Sequence, residues 1–206
     1  MKVLVIGATG ATGVHAVMIL LAAGHEVTAY ARNPASVTEA HAKLRVAQGD
    51  ARDAAALDAA VAGQDAVLCA FGPRSLEKSD VQEVLYRNLV ASMKKHNVKR
   101  IVNLSAWGAG DSAKHMNLFF KVFSKTVLRH VWPDKERGER TLLDAGLDYV
   151  NVRPGRLLNE PARGGVKAGL APGGMKSELT REDLARFMVD QLTSDAWLRR
   201  SPLVGY

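Results

Sequence analysis

The chain has 206 residues, 47% of them apolar and 24% charged, which fits a single globular unit able to bury a core without disulfides or metal. No apolar run approaches the roughly 20 residues of a membrane span, and a single cysteine, Cys69, excludes an internal disulfide or a cysteine-based zinc cluster. The formal net charge of +7 admits a polyanionic partner, but equally a single anionic ligand on a generally basic surface.

The opening "MKVLVIG" has one charge and four apolar residues before its glycine. It is expected to be a first strand, at about residues 2 to 6, rather than a secretory leader. Residues 11 to 23 then carry apolar side chains at helical spacing and stop at Gly24, a natural cap. "HEVTAYA" reads as a second strand, "ARNPASV" as a turn followed by a short helix, and "KLRVAQGD" as a third strand ending at Asp50. "DAAALDAAVAG" is a helix closed by Gly63, and "DAVLCAFG" is an uninterrupted apolar run of the kind buried on both faces of a parallel sheet. Cys69 lies inside that run, so a buried, inert thiol in a reducing cytoplasm is expected.

The pattern continues with a long helix at about 79 to 97, the strand "RIVNLS", a helix at about 134 to 145 capped by Gly146, and the strand "DYVNVRPG". The basic cluster "KKHNVKR" falls where the long helix ends, a place the helix dipole favours for cations. It is read as a helix terminus, and no nucleic-acid or membrane partner is expected. "TRED" at 180 to 183 offers Thr180 as N-cap, with Asp183 three residues on, for the helix "LARFMVDQL". Alternating strands and helices imply an α/β fold with a doubly wound parallel sheet, one domain over 1–206. Two stretches break the rhythm: 106–133, with Phe119, Phe120 and Phe123, and the Gly/Pro-rich excursion 155–178. Both follow late strands at the carboxyl edge, where open α/β sheets bind ligands.

Gly7, Gly10 and Gly13 stand three apart between the first strand and the first helix. A chain that turns from strand into helix within a few residues needs the backbone freedom of glycine. Glycine also lets a ligand approach the main chain, and the helix N-terminus offers free N–H groups to a pyrophosphate. The spacing Gly-x-x-Gly-x-x-Gly departs from the simple dinucleotide fingerprint, but its position after the first strand of a strand–helix series supports the same use. At the end of the second strand stands Arg32, with no acid, while Glu26 lies at the strand's beginning. An arginine there suits the extra phosphate of NADP, so NADPH is expected over NADH. Asp50 is placed near the adenine, and Phe71 and Gly72 beside the adenosine ribose.

"GATGATG", "GD" at 49 to 50, "VNLSAWG" at 102 to 108, "DK" at 134 to 135 and "VRPG" at 152 to 155 together resemble the atypical short-chain dehydrogenase/reductase group of Rossmann folds. "VAGQDAVLCAFG" followed by "VASMKKHNVKRIV" is most similar to the biliverdin-IXβ reductase, or flavin reductase, branch, with NmrA-like redox sensors as close relatives. The resemblance implies that Gly7, Thr9, Gly10, Thr12, Arg32, Asp50, Ala51, Gly72, Ser105 and Pro154 line the cofactor site, and Ala11, Phe71 and Gly155 are taken with them.

Typical members of that wider group use a tyrosine four residues before a lysine to protonate a carbonyl oxygen. Here Tyr30, Tyr86 and Tyr149 are followed four positions on by Pro34, Val90 and Arg153, Tyr206 has no such position, and Val131 stands four before Lys135. Reduction of an ordinary ketone therefore lacks its proton donor. Oxidised flavin, biliverdin and quinones delocalise the charge that hydride brings, and need chiefly orientation. Ser105 and Lys135 are the candidate catalytic residues, with Ser105 also able to bond the nicotinamide amide or local backbone. Trp107 is the candidate substrate platform; Phe119, Phe120 and Trp132 read as core or lid packing in preference to stacking on the substrate. His115 and His130 are read as proton relays or as structural groups, and no metal-ligand spacing appears. An NADPH-dependent reductase of a planar conjugated acceptor, flavin first and biliverdin or quinone next, is expected; a nucleotide sensor without turnover is the alternative. Nucleotide-sugar epimerase or dehydratase chemistry is disfavoured by the missing tyrosine.

Overall fold

A computed structural model describes residues 1–72, 75–116, 121, 122, 124 and 126–206. In chain order the elements are β1 (Lys2–Ile6), α1 (Gly13–Ala22), β2 (Glu26–Ala31), β3 (Leu44–Gln48), α2 (Ala54–Val61), β4 (Ala66–Cys69), α3 (Val81–Lys95), β5 (Arg100–Leu104), α4 (Trp132–Leu143), β6 (Asp148–Pro154), β7 (Arg156–Leu158), β8 (Lys167–Gly169), β9 (Glu178–Thr180), α5 (Arg181–Asp190) and β10 (Leu203–Gly205). The strands form an eight-stranded sheet in the order β3-β2-β1-β4-β5-β6-β10-β8, and β7 pairs with β9 in a separate ribbon. All pairings in the large sheet are parallel except β10 with β8. The strand order reverses between β1 and β4, so the crevice above their carboxyl ends is the natural ligand site.

Alternation of side chains explains why the apolar runs are continuous. Val3 and Val5 of β1 enter a core shared with α1 and α5, while Leu4 and Ile6 enter a second core beneath α2, α3 and α4. β4 divides likewise, Ala66 and Leu68 to one face and Val67 and Cys69 to the other. Each such leucine or isoleucine stabilises the fold by about 2 kcal/mol through lost apolar surface. On the α3/α4 face the sheet carries a polar stripe: Tyr86 Oη donates to Asn103 Oδ1 at 2.5 Å, and Asn103 Nδ2 donates to Asn151 Oδ1 at 2.7 Å. Asp134 of α4 caps α3 from outside, accepting from the amides of Gln82 and Glu83 at 3.0 Å each. Gly138 lets the two helices close up, since a Cβ there would stand 2.6 Å from the Tyr86 ring.

Two sequence expectations need correction. No helix follows the turn after β2; only a 3-10 turn at Pro34–Ser36 is present, and 37–43 is irregular. The stretch 155–178 is not wholly irregular, because β7 and β8 lie within it. Their partners, β9 and β10, are distant in sequence, so no local pattern announces them. Phe119, Phe120 and Phe123 lie outside the described residues.

Candidate functional site

The glycine turn follows β1 and leads into α1, and each glycine has its own cause. Gly7 has φ +79°, and a Cβ on it would lie 2.7 Å from the Ala70 carbonyl oxygen of the neighbouring strand end. The Gly10 amide closes the turn on the Gly7 carbonyl at 2.9 Å. A Cβ on Gly13 would sit 2.0 Å from that same Gly7 oxygen, so only glycine lets α1 start against the turn. The N-terminus of α1 has no side-chain cap and no acidic residue in its first turn. Its amides and partial positive charge face the crevice, the arrangement that binds a phosphate.

Two cavities open here and share Thr9, Gly10, Ala70, Phe71 and Gly72 as lining. The first, of about 400 Å³, reaches over the ends of β1, β2 and β3 and is lined also by Gly7, Tyr30, Arg32, Asp50, Ala51, Arg52 and Lys78. Arg32 Nε stands 3.9 Å from Asp50 Oδ2, with both side chains largely in solvent. Tyr30 Oη donates to the Asp50 carbonyl at 2.9 Å, and burial, then the nearby Asp53 and Asp50, push its pKa up to about 12. That phenol is a fixed wall, not an acid.

The second cavity, of about 500 Å³, lies over the ends of β4 and β5 and is lined by Ala11, Thr12, Leu104, Ser105, Lys135, Leu157 and Arg181 besides the shared residues. Ser105 and Lys135, distant in sequence, thus meet in one space. The Ser105 hydroxyl donates to Glu139 Oε2, and Glu139 Oε1 accepts from Arg153 Nη2 at 2.5 Å. Arg153 Nη1 donates in turn to Asp111 at 2.5 Å. Ser105, Glu139 and Arg153 are all buried, so this is an ion pair out of water. The serine's one proton is committed to the carboxylate, and its lone pairs remain for a ligand. Burial pulls the Lys135 ammonium below the ordinary lysine range, against the opposing pull of Glu139.

No tyrosine lines this second cavity. Tyr86 is buried among Cys69 and Asn103, and its pKa is raised well above the ordinary value by burial first. Tyr206 donates to Asp183 Oδ2 at 2.6 Å. Trp107, Pro154 and Gly155 line neither cavity. The Trp107 amide donates to the Pro154 carbonyl at 2.8 Å, tying the ends of β5 and β6, and a Cβ on Gly155 would meet Ser177 O at 2.1 Å. His115 and His130 also lie outside both linings, and among the described residues no cluster of three or more His, Cys, Asp or Glu gathers as for a metal ion.

Sequence reasoning passed over Glu139 and Arg181. Glu139 stands four residues after Lys135 on the same helix, a spacing that shares a face and was open to notice. Arg181 follows the Thr180 cap, and nothing local marks it as facing the glycine turn.

A glycine cradle that a Cβ would fill, an uncapped helix start and a long cleft over the strand-order reversal fit a dinucleotide. These features define a nicotinamide-dinucleotide-binding Rossmann protein. The family model described as NAD(P)H-binding matches residues 7–195, and the chain belongs to that family. An uncharacterized chloroplastic protein of Arabidopsis thaliana is 29% identical over 208 residues, covering 94% of this chain and 72% of that protein. Among solved structures, the anaerobillin reductase ChuY of Escherichia coli has TM-score 0.82 and 22% identity, covering 99% of this chain and 96% of the other. A wide-type short-chain dehydrogenase/reductase of Veillonella parvula in complex with NADP has TM-score 0.81 and 18% identity, covering 100% and 94%. The oxidoreductase ylbE of Lactococcus lactis has TM-score 0.85 and 20% identity, covering 100% and 90%. These structures share the fold, and the family agrees with the short-chain dehydrogenase/reductase resemblance. No helix among the described residues is long and apolar enough to cross a membrane.

Proposed function

We propose that the protein is an NADPH-dependent oxidoreductase that passes hydride to a planar conjugated acceptor, a flavin first and biliverdin or a quinone next. The observation that carries this reading is the second cavity: it holds Ser105 and Lys135 beside the glycine turn and contains no tyrosine. When bound, the nicotinamide supplies the hydride. Gly7, Thr9, Gly10, Ala11 and Thr12 would hold the pyrophosphate, Arg32 the 2′-phosphate, and Asp50, Ala51, Phe71 and Gly72 the adenosine.

Ser105, its proton given to Glu139, acts as an acceptor and would bind an N–H of the carboxamide or of the acceptor. Lys135 presents positive charge to the anion that hydride transfer creates. Ser105 has no proton to spare and no tyrosine phenol is at hand, so an acceptor that spreads its own charge suits the site. Leu104 and Leu157 give that acceptor apolar contact. The fold neighbour described as an anaerobillin reductase lends support to reductase chemistry of this kind.

The test is to mix purified protein with NADPH and FMN, riboflavin or biliverdin and to follow the nicotinamide absorbance. Turnover well above the uncatalysed background is expected. Tight NADPH binding without oxidation of any acceptor would overturn the reductase reading in favour of a non-catalytic redox sensor.

A further inference from the structure

Arg181 opens α5, far along the chain from the glycine turn, yet it lines the second cavity with Gly10, Ala11 and Thr12. Its Nη1 reaches Thr12 Oγ1 at 3.4 Å, across 169 residues of sequence, and its Nε donates to Asn159 Oδ1 at 2.7 Å. Both partners are neutral. Among the described residues no carboxylate lies within ion-pair reach of this guanidinium, whereas Arg153 and Arg163 each have two and Arg186 has one. A fixed cation with uncompensated charge thus faces an uncapped helix start that also carries partial positive charge. Two positive elements set against each other imply an anion between or beside them.

The placement is rigid. Leu184, Ala185 and Met188 of α5 share one buried cluster with Ala16, Val17 and Leu20 of α1. Thr180 caps α5 by accepting from the Asp183 amide at 3.2 Å. Asp183 also accepts from Tyr206 Oη, from Thr180 Oγ1 and from the amides of Arg163 and Gly164, which anchors the 155–178 stretch and the C-terminus to the same helix start. The guanidinium therefore arrives at the turn on packed elements, not on a loose arm. Its long contact to Thr12 is weak enough for a charged oxygen to displace.

We propose that Arg181 is a clamp on the dinucleotide, pairing with the nicotinamide-side phosphate of the pyrophosphate from across the cleft. The adenosine-side features are in the first cavity, and Arg181 lines only the second, which contains Ser105 and Lys135. Cofactor binding then bolts the C-terminal segment to the first βα unit. This rests on the proposed use of NADPH and adds to it a residue outside the glycine turn.

The experiment compares two ligands by calorimetry at equilibrium, with no acceptor and no turnover: NADP⁺, which has both phosphates of the bridge, and 2′,5′-ADP, which ends at the adenosine side. Wild-type protein binds both. Arg181→Ala is expected to weaken NADP⁺ about tenfold or more while leaving 2′,5′-ADP within about twofold. Retained 2′,5′-ADP affinity also shows that the variant is folded. Arg181→Lys keeps the charge but not the fork and is expected to fall between, and Asn159→Ala to show a smaller loss with the same selectivity for NADP⁺.

Equal losses for both ligands, or no loss for either, would remove the clamp and leave the cofactor reading standing. Unchanged NADP⁺ affinity, joined in a separate reductase assay by a raised KM confined to an anionic acceptor, would reassign Arg181 to the substrate and likewise overturn the clamp. Wild-type protein that bound neither ligand would remove the cofactor reading, and the clamp with it.

Discussion

The two cavities are built by opposite means. The glycine turn that joins them is made of backbone: its selectivity resides in where three Cβ atoms are absent and in amides that no side chain caps. Behind Ser105 of the second cavity stands a series of polar side chains: Ser105, Glu139 and Arg153 are buried, and Arg153 reaches on to Asp111 at the surface. A backbone site tolerates almost any neighbouring side chain but no added carbon at its glycines. A buried-ion site does not tolerate the loss of one partner, which leaves the other charge unpaired out of water.

The comparison breaks most sharply at Gly13. A Cβ there would stand 2.0 Å from the Gly7 carbonyl oxygen, which is backbone and has nowhere to go. Gly13→Ala is expected to cost about 4 kcal/mol or more, a size reserved for structural overlap and similar faults, and to abolish NADP⁺ binding. Denaturant unfolding and calorimetry measure both. A stable variant with intact binding would show that the turn has slack the geometry denies.

Next in size is Glu139. Its removal leaves Arg153, 2% exposed, facing only the surface carboxylate of Asp111. Glu139→Ala is expected to destabilise by about 3 kcal/mol, as for other broken buried pairs. Glu139→Gln keeps the shape and costs less, but it frees the Ser105 proton to turn toward the ligand. Reductase activity should therefore change in Glu139→Gln more than melting does, whereas a purely structural Glu139 would move both together.

A smaller effect distinguishes the C-terminal segment through pH. Burial alone would raise the Asp183 carboxyl, but hydrogen bonds from Tyr206, the Arg163 amide and Thr180 outweigh it and hold its pKa below the ordinary value. The contribution of Asp183 is therefore complete above the unfolded carboxyl's value of about 4 and is lost as the pH falls through the lower folded value. Wild-type stability should fall in that acid window, and Asp183→Asn, about 1 to 2 kcal/mol less stable at neutral pH, should show a flatter acid limb. Parallel acid limbs would show that Asp183 carries none of the dependence.

The same contrast governs what could be read from the chain. β1 and β4 were legible because strands buried on both faces must be apolar at every position, and the glycine turn because it combines backbone freedom with a preceding strand. That Arg32 lies at the first cavity was legible from its place at a strand end. The ribbon β7/β9 and the antiparallel pair β10/β8 were not, since each strand has only three residues and its partner lies far along the chain. Gly155 illustrates the limit: the sequence groups it with the cofactor residues, whereas the fold shows the Ser177 carbonyl 2.1 Å from where its Cβ would be. Glycine was required, and the neighbour requiring it is the chain itself.

The smallest expected effect sits at the far end of the first cavity. The Arg32 and Asp50 side chains are 62% and 46% exposed and 3.9 Å apart, so the pair contributes little to stability, and Arg32→Ala should melt with the wild type. Its proposed part is in the choice of cofactor. A 2′-phosphate entering this cavity meets Arg32 as counter-ion but also meets Asp50, a like charge; without Arg32 only the repulsion remains. Arg32→Ala should therefore raise KM for NADPH about tenfold, the worth of one charge-assisted contact at a solvated site, and leave NADH, whose ribose hydroxyls can donate to Asp50, unchanged or improved. Asp50→Asn in the Arg32→Ala background should recover part of the NADPH loss while weakening NADH. Equal shifts for the two cofactors would remove Arg32 as the selector, and failure of the second change to restore NADPH would show that Asp50 does not face the phosphate.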